Sequence, residues 1–329
     1  MKVAVCIPTY NQSAYLREAI NSALMQTWKD LEVWVSDDAS TDDTREALET
    51  LSASDSRVKP VYQEKNRGIA GNVDDLLRLP KTEFIVRLDS DDILLPDYVE
   101  TLVGLMLRYE HAGIAHANVQ EIDKHGRNTR VRMLRPRPCW QDAEDALRDA
   151  LSGYRVAANI CMFRRSALVN VNYIAGRPEY TEDYDLFVRL ADAGFGNLHC
   201  DRILSKYRVW LDSAGLRPKR KATELRGLIR IFNEAIGPAF ARRGWDHALV
   251  QRNRENLALG HSIYLAEQKL DEGNYSSIAG LLRELGSSVK LERKIRWIGC
   301  GAGWLFLLRA KLHAISRDFA KQLMCRWPR

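Results

Sequence analysis

The sequence predicts an α/β fold: a Rossmann-like, mostly parallel sheet flanked by helices, with an α-helical C-terminal extension. Two patterns carry the sheet. Apolar runs of strand length alternate with stretches of helical periodicity, and a polar cluster follows each run. Strand, helix, strand, helix is the order of a parallel sheet covered on both faces. A third pattern carries the extension, because strand signals stop near Asp212 while helical ones continue.

The first run, VAVCIP (3–8), ends at Pro8 as a buried parallel strand does. Tyr15, Leu16, Ala19, Ile20, Ala23 and Leu24 then recur at helical spacing as far as Thr27. EVWVSDD (32–38) is the second strand, and Ser40 with Asp43 forms a capping-box pattern opening a helix from Thr41 to Leu51. VKPVYQE supplies a short third strand and Asn72 to Leu79 a helix. EFIVRLD (83–89) is the fourth strand and GIAHANVQ (113–120) the fifth. Between these two, ILLPDYVETLVGLMLRYE reads as a helix with Asp92 as its cap.

With 329 residues, 46% hydrophobic and 28% charged, the chain has the profile of a soluble globular protein with a sizeable core. The apolar start of MKVAVCIPTYNQ turns polar after Pro8, so no leader peptide is expected. No stretch approaches the roughly 18 apolar residues that cross a bilayer. Six cysteines are scattered without a CxxC pair, which predicts reduced thiols in the cytoplasm and neither a disulfide framework nor a zinc site.

In open parallel sheets, ligands lie beyond the carboxyl ends of the strands. Four such ends carry polar residues here: Thr9-Tyr10-Asn11, Asp37-Asp38, Asn66-Arg67-Gly68 and Asp89 to Asp92. Asp89-Ser90-Asp91 is a D-x-D pattern. Crowded carboxylates repel unless a counter-charge joins them. Mg²⁺ and Mn²⁺ prefer such oxygen ligands and bind through one or two carboxylates plus phosphate and water.

VCIPTYNQSAYLREAINSALMQTWKDLEVWVSDDASTDDT, NRGIAGNVD, FIVRLDSDDILLPD and YTEDYDLFVRLADAGF follow one another over residues 1 to about 210. Together they resemble the successive signatures of family 2 glycosyltransferases with the GT-A fold. The resemblance implies a catalytic domain over residues 1–211, with a nucleotide-sugar half to about 120 and an acceptor half over 121–211. It implies an inverting transfer of a sugar from a nucleotide-diphosphate donor, expected to be a UDP-sugar. The acceptor would be a hydroxyl of a cell-surface glycan or lipid-linked oligosaccharide.

The resemblance also assigns residues. Pro8, Tyr10 and Asp38 would hold the base, Tyr10 by stacking and Asp38 by accepting the N3–H of uracil, which cytosine lacks. Arg67 would reach a phosphate. Asp91 would hold Mn²⁺ or Mg²⁺ on the diphosphate, with Asp89 toward the ribose or the metal's water shell and Ser90 between them. Asp183 would be the general base toward the acceptor. Plainer roles stand beside these: half-burial for Tyr10, a helix cap for Asp38, and favourable first-turn charge for Glu182 and Asp183. Asp185 is expected to face solvent or pair with Arg189. One departure stands out: KYRVWLDSAG has Trp210 where members of the family often have a histidine. Trp210 cannot ligate a metal, and Tyr207 and Arg208 remain as phosphate contacts.

Arg127, Arg130, Arg132, Arg135 and Arg137 fall in an aperiodic segment with two prolines, read as a basic surface loop that clamps the donor, meets an anionic acceptor or is merely solvated. Residues 212–329 form the helical region. From residue 287 onward it has ten Lys or Arg against two acids, interleaved with Trp297, Trp304, Phe306, Phe319 and Trp327. That pattern fits a helix lying on an anionic membrane surface, which places the protein peripherally on the cytoplasmic face. The competing use is packing on the catalytic domain or on a second subunit. Without a recognisable binding module, nucleic acid is not an expected partner. Two other functions share some of these features. A haloacid-dehalogenase-like phosphatase would use Asp89 and Asp91, and a non-catalytic module would keep only the nucleotide-sugar crevice.

Overall fold

The computed structural model describes residues 1–132, 139–153, 160–174, 181–209, 216–268, 270–306 and 308. The chain divides into two compact units, Met1–Ser213 and Ala214–Arg329.

The first unit opens β1 (Val3–Thr9), α1 (Ser13–Leu24), β2 (Leu31–Asp37), α2 (Thr44–Ser54), β3 (Val58–Tyr62), α3 (Gly68–Arg78) and β4 (Phe84–Leu88). Each predicted strand and helix of this stretch forms. The apolar runs form the strands because they are buried from end to end: every residue of β1 and β4 is inaccessible. On α1, the buried residues Leu16, Ala19, Ile20 and Ala23 recur every three or four positions, so one face meets the sheet. β3 lies at the sheet edge, where Pro60 is tolerated.

Beyond β4 the chain departs from the expected pattern. Ile93–Leu94 is a short strand, β5, and the helix α4 begins only at Tyr98 and runs to Arg108. Its N-cap position is Asp97, so neither Asp91 nor Asp92 caps it. β6 (Ala112–Ile122) is longer than its predicted core. The basic segment is not wholly a loop, because β7 (Asn128–Arg132) pairs antiparallel with β6. Arg135 and Arg137 lie outside the described residues.

Then come β8 (Trp140–Gln141), α5 (Ala143–Ala150), β9 (Ile160–Arg164), α6 (Arg165–Asn170), α7 (Glu182–Asp192) and β10 (Gly196–Arg208). The sheet order is β3-β2-β1-β4-β9-β6-β10-β5. β1 runs parallel to β2 and β4, and β10 parallel to β6, while β9 lies antiparallel between β4 and β6. β10 escaped the periodicity because its register shifts between Cys200 and Ile203, where Asp201 and Arg202 turn outward.

The second unit is helical throughout its described residues: α8 (Leu216–Arg230), α9 (Gly237–Arg242), α10 (His247–His261), α11 (Tyr264–Glu267), α12 (Glu272–Leu285) and α13 (Val289–Trp297). Among the described residues no helix is long and apolar enough to cross a membrane. The five described cysteines form no disulfide.

Candidate active site

The ends of β1 and β2 are joined by hydrogen bonds between their loops. Asp38 donates its N–H to the Thr9 carbonyl at 3.0 Å, and Asn11 donates its N–H to Ser40 Oγ at 2.9 Å. Asn11 Oδ1 in turn accepts from the Thr41 N–H at 2.8 Å. These contacts hold Asn11 at φ 52° and Ala39 at φ 58°, left-handed conformations that cost a non-glycine residue about 1–3 kcal/mol. Pro8 is buried in β1 opposite Ser36. Tyr10 is 46% exposed at the rim, so it is not a core residue.

Asp38 is buried, and its Oδ1 accepts the backbone N–H of Arg67 at 2.7 Å. Burial pushes its carboxyl pKa up, while the Arg67 and Gly68 amides work against that shift. α2 starts at Thr44 after Asp43, so Asp38 is not its cap. The Arg67 guanidinium is paired with Asp75 at 3.1 Å. It is the Arg67 backbone, not its charge, that contacts Asp38.

The D-x-D loop is held by two buried arginines. Arg87, in the middle of the sheet, donates Nε to Asp89 Oδ1 at 3.1 Å. Burial pushes the Arg87 pKa down, but Asp89, Glu182 and Asp183 outweigh it and raise it above the usual arginine value. Arg208, at the end of β10, donates Nε to the Asp91 carbonyl at 2.8 Å and its backbone N–H to Asp92 Oδ1 at 2.8 Å. Its remaining nitrogens reach Glu18 at 2.8 Å and the Asp123 carbonyl at 3.0 Å, and the ring of Tyr15 lies 4.5 Å beneath it. Arg208 therefore holds the loop from behind, contrary to its expected role as a phosphate contact. Asp92, 1% exposed, is pushed well above the usual carboxylate range by burial and by Asp91 and Asp89. Ser90 is buried between the two acids.

α7 begins with the predicted acids. Leu186, Phe187 and Leu190 are buried as its spacing requires. Asp185 is also buried and pairs with Arg189 at 2.6 Å, so of its two expected roles the ion pair holds and solvent exposure does not. Glu182 lies 3.9 Å from Arg87. Asp183 Oδ1 accepts the Tyr184 N–H at 2.7 Å. Burial raises both carboxyls, Asp183 raises Glu182 further, and Arg87 opposes the shift in each.

The structure thus brings Asp89, Glu182 and Asp183 around one guanidinium. Arg87 and Asp183 line the same small cavity. A separate groove of about 480 Å³ between α1 and residues 93–96 contains none of the predicted site residues. Trp210 lies outside the described residues. Arg130 and Arg132 of the basic segment both bind buried Glu121 and Arg132 covers the Tyr207 ring, so these two arginines already have protein partners.

Among the described residues no three His, Cys, Asp or Glu side chains cluster into a metal cage. The expected ligands Asp89 and Asp91 would offer hard oxygens only, and Asp89 is also paired with Arg87. That fits Mg²⁺ or Mn²⁺ shared with phosphate and water and does not fit zinc. The sequence reading passed over Arg87 as a site residue. The signal was present, since a charged residue inside EFIVRLD must have partners once the strand is buried on both faces.

Comparison with known proteins bears on the family and the fold. Residues 4–170 match the profile described as glycosyl transferase family 2. Chondroitin synthase of Escherichia coli is 31% identical over 192 residues, which is 58% of this chain and 27% of that protein. The GalNAc(5)-diNAcBac-PP-undecaprenol beta-1,3-glucosyltransferase of Campylobacter jejuni is 32% identical over 174 residues, 52% of this chain and 54% of that protein. The chain thus spans only about a quarter to a half of the length of these two relatives. The crystal structure of S. aureus TarS 1-349 in complex with UDP-GlcNAc superposes with a TM-score of 0.66 at 16% identity, covering 92% of this chain and 88% of that one, a likeness of fold. Because the family profile covers more than half of the sequence, the chain belongs to glycosyl transferase family 2, a family of transferase enzymes.

Proposed function

We propose that the protein transfers a sugar from a UDP-sugar to an acceptor hydroxyl with inversion at the anomeric carbon. The observation that carries this reading is the charge cluster in which Arg87 faces Asp89 on one side and Glu182 on the other. It puts the D-x-D strand end and the acids that open α7 into one site. Tyr10 and Pro8 flank the uracil, and Asp38 accepts its N3–H. Asp91, with Asp89, would hold a divalent cation that neutralises charge on the departing diphosphate. Asp183 takes the proton of the acceptor hydroxyl as its oxygen bonds to the anomeric carbon. The bond from that carbon to the phosphate oxygen breaks with its electron pair, releasing UDP. Family membership removes the phosphatase alternative. The acceptor we assign is a cell-surface glycan or lipid-linked oligosaccharide; of the two relatives above, one is named for a glycan on PP-undecaprenol and the other for chondroitin synthesis.

A donor screen tests the base reading. UDP-sugars at 100 times their Kd are expected to stabilise the protein by about 2.7 kcal/mol, with GDP-sugars and CDP giving little. Asp38→Asn should weaken UDP binding about tenfold or more, because a hydrogen bond to a charged acceptor contributes about 1.5–3 kcal/mol. Stabilisation by CDP equal to that by UDP would remove the role given to Asp38.

The second unit is assigned to an anionic membrane surface. Trp297, Trp304 and Leu308 are 51%, 62% and 50% exposed, next to the exposed bases Lys290, Arg293 and Arg296. The single helix expected over residues 297–308 is broken at Gly301 (φ 85°), and the exposed apolar side chains on either side of the break, beside these cations, suit the headgroup boundary. The protein should co-sediment with phosphatidylglycerol vesicles and not with phosphatidylcholine ones, and Trp297→Ser with Trp304→Ser should abolish the difference. A monodisperse dimer that ignores both vesicle types would assign this face to a second copy instead.

A further inference from the structure

We propose that Arg87 is a positioning residue that ties the donor-side loop to the base-bearing helix; the inference rests on the transfer reaction proposed above. Its side chain is only 4% exposed and stands between elements from distant parts of the chain. Nε reaches Asp89 Oδ1 at 3.1 Å on its own strand end, and Nη1 lies 3.9 Å from Glu182 Oε1 at the first residue of α7. Asp183, the next residue, lines the same cavity as Arg87. A buried guanidinium has no water to replace a lost partner, so its two carboxylates are held strongly. The planar fork of arginine can serve two acids in different directions, whereas the point charge of a lysine serves one well.

The two ends of this tie differ in what else supports them. On the donor side, Asp92 donates its N–H to the Asp89 carbonyl at 3.0 Å, and Arg208 holds the Asp91 carbonyl and the Asp92 carboxyl. The backbone of the D-x-D loop is therefore held independently of Arg87, which holds the Asp89 carboxylate. At the start of α7, the Tyr184 hydroxyl donates to the Ala150 carbonyl and Asp185 pairs with Arg189, but Thr181 makes no side-chain cap and the ion-pair partner of the inward-turned Glu182 is Arg87. Loss of Arg87 therefore falls on the Glu182–Asp183 side, where a displacement of about 1 Å between base and reacting centre costs about 100-fold in rate. It falls on turnover, not on donor affinity.

The experiment uses the full chain. UDP release from UDP-glucose and UDP-GlcNAc with Mn²⁺, and UDP binding by calorimetry, are measured for wild type, Arg87→Lys, Arg87→Met, Glu182→Gln, the Arg87→Met/Glu182→Gln double variant and Asp183→Asn. Arg87→Met is expected to lose about 100-fold in kcat, with KM for the donor and Kd for UDP within about threefold of wild type. Arg87→Lys should recover part of the loss. The double variant should cost no more than Arg87→Met alone, because both changes act through one contact.

A merely structural role would lower the folded fraction and leave the effects on kcat per folded molecule additive. Should Arg87→Met fail to fold, Arg87→Lys and the double variant carry the same test, since the first keeps the charge and the second removes a stranded carboxylate with it. Wild-type kcat in any folded Arg87 variant, with Asp183→Asn inactive, overturns this inference and leaves the transfer reaction standing. An inactive wild type overturns both.

Discussion

Replacing Asp183 by Asn is expected to cut UDP release by about 10²–10⁴-fold, the usual contribution of a positioned general base. Asparagine has nearly the same shape and keeps an oxygen for the Tyr184 N–H, which Asp183 now accepts at 2.7 Å. It removes the proton acceptor and one of two adjacent acids, of which Glu182 is the buried one. Repulsion from Asp183 is among the causes that raise Glu182, so its loss relieves strain at the helix start. The melting temperature should therefore hold or rise, and UDP affinity should stay within about threefold. The plainer role gives a different result. If Asp183 only complements the helix dipole, its neutralisation costs about 0.3–1 kcal/mol of stability and leaves turnover intact. A variant that is less stable but fully active would therefore defeat the assignment of Asp183 as base. A wild type that binds UDP yet never releases it from a UDP-sugar would indicate a binding module.

Asp91→Asn is expected to lower UDP release about 100-fold or more and to remove its dependence on Mn²⁺, since a bound cation contributes several kcal/mol of charge stabilisation. A chelator should do the same to the wild type, reversed by adding Mn²⁺ or Mg²⁺. The contact that Arg208 makes with Asp91 is to the backbone carbonyl, which the substitution preserves. Asp89→Asn supplies the contrast. Its carboxylate is the nearer of the two ion-pair partners of Arg87, and breaking a buried ion pair by removing one partner costs about 3–5 kcal/mol. Asp89→Asn should thus lose both stability and turnover. Equal activity with and without chelator, together with an active Asp91→Asn, would mean that the transfer proceeds without a metal at this loop.

The parts of the site that could be read from the sequence are those set by short-range pattern. Alternation of apolar and polar residues located β1 to β4 and the helices between them, and therefore the strand ends at which Tyr10, Asp38, Arg67 and Asp89 to Asp91 sit. The first turn of α7 was equally legible, because its acids precede an apolar face at helical spacing. Pattern failed where the partner is far away. Asp92 looks like a helix cap in isolation, yet its carboxyl accepts from Arg208, 116 residues later. The backbone of Arg67 serves Asp38, 29 residues earlier, a contact that the strand-end pattern does not record.

What the sequence alone determined was the alternation of strands and helices, and with it which polar residues stand at strand ends, because burial periodicity is a property of a few consecutive residues. The tertiary structure decided that β9 inserts antiparallel between β4 and β6 and that β10 closes beside β6. It also decided that Arg87 and Arg208 hold the acidic loop from two sides. Those outcomes depend on which segments meet across the sheet, and a buried charge takes its partner from whatever the fold brings within hydrogen-bonding reach, which no local pattern records.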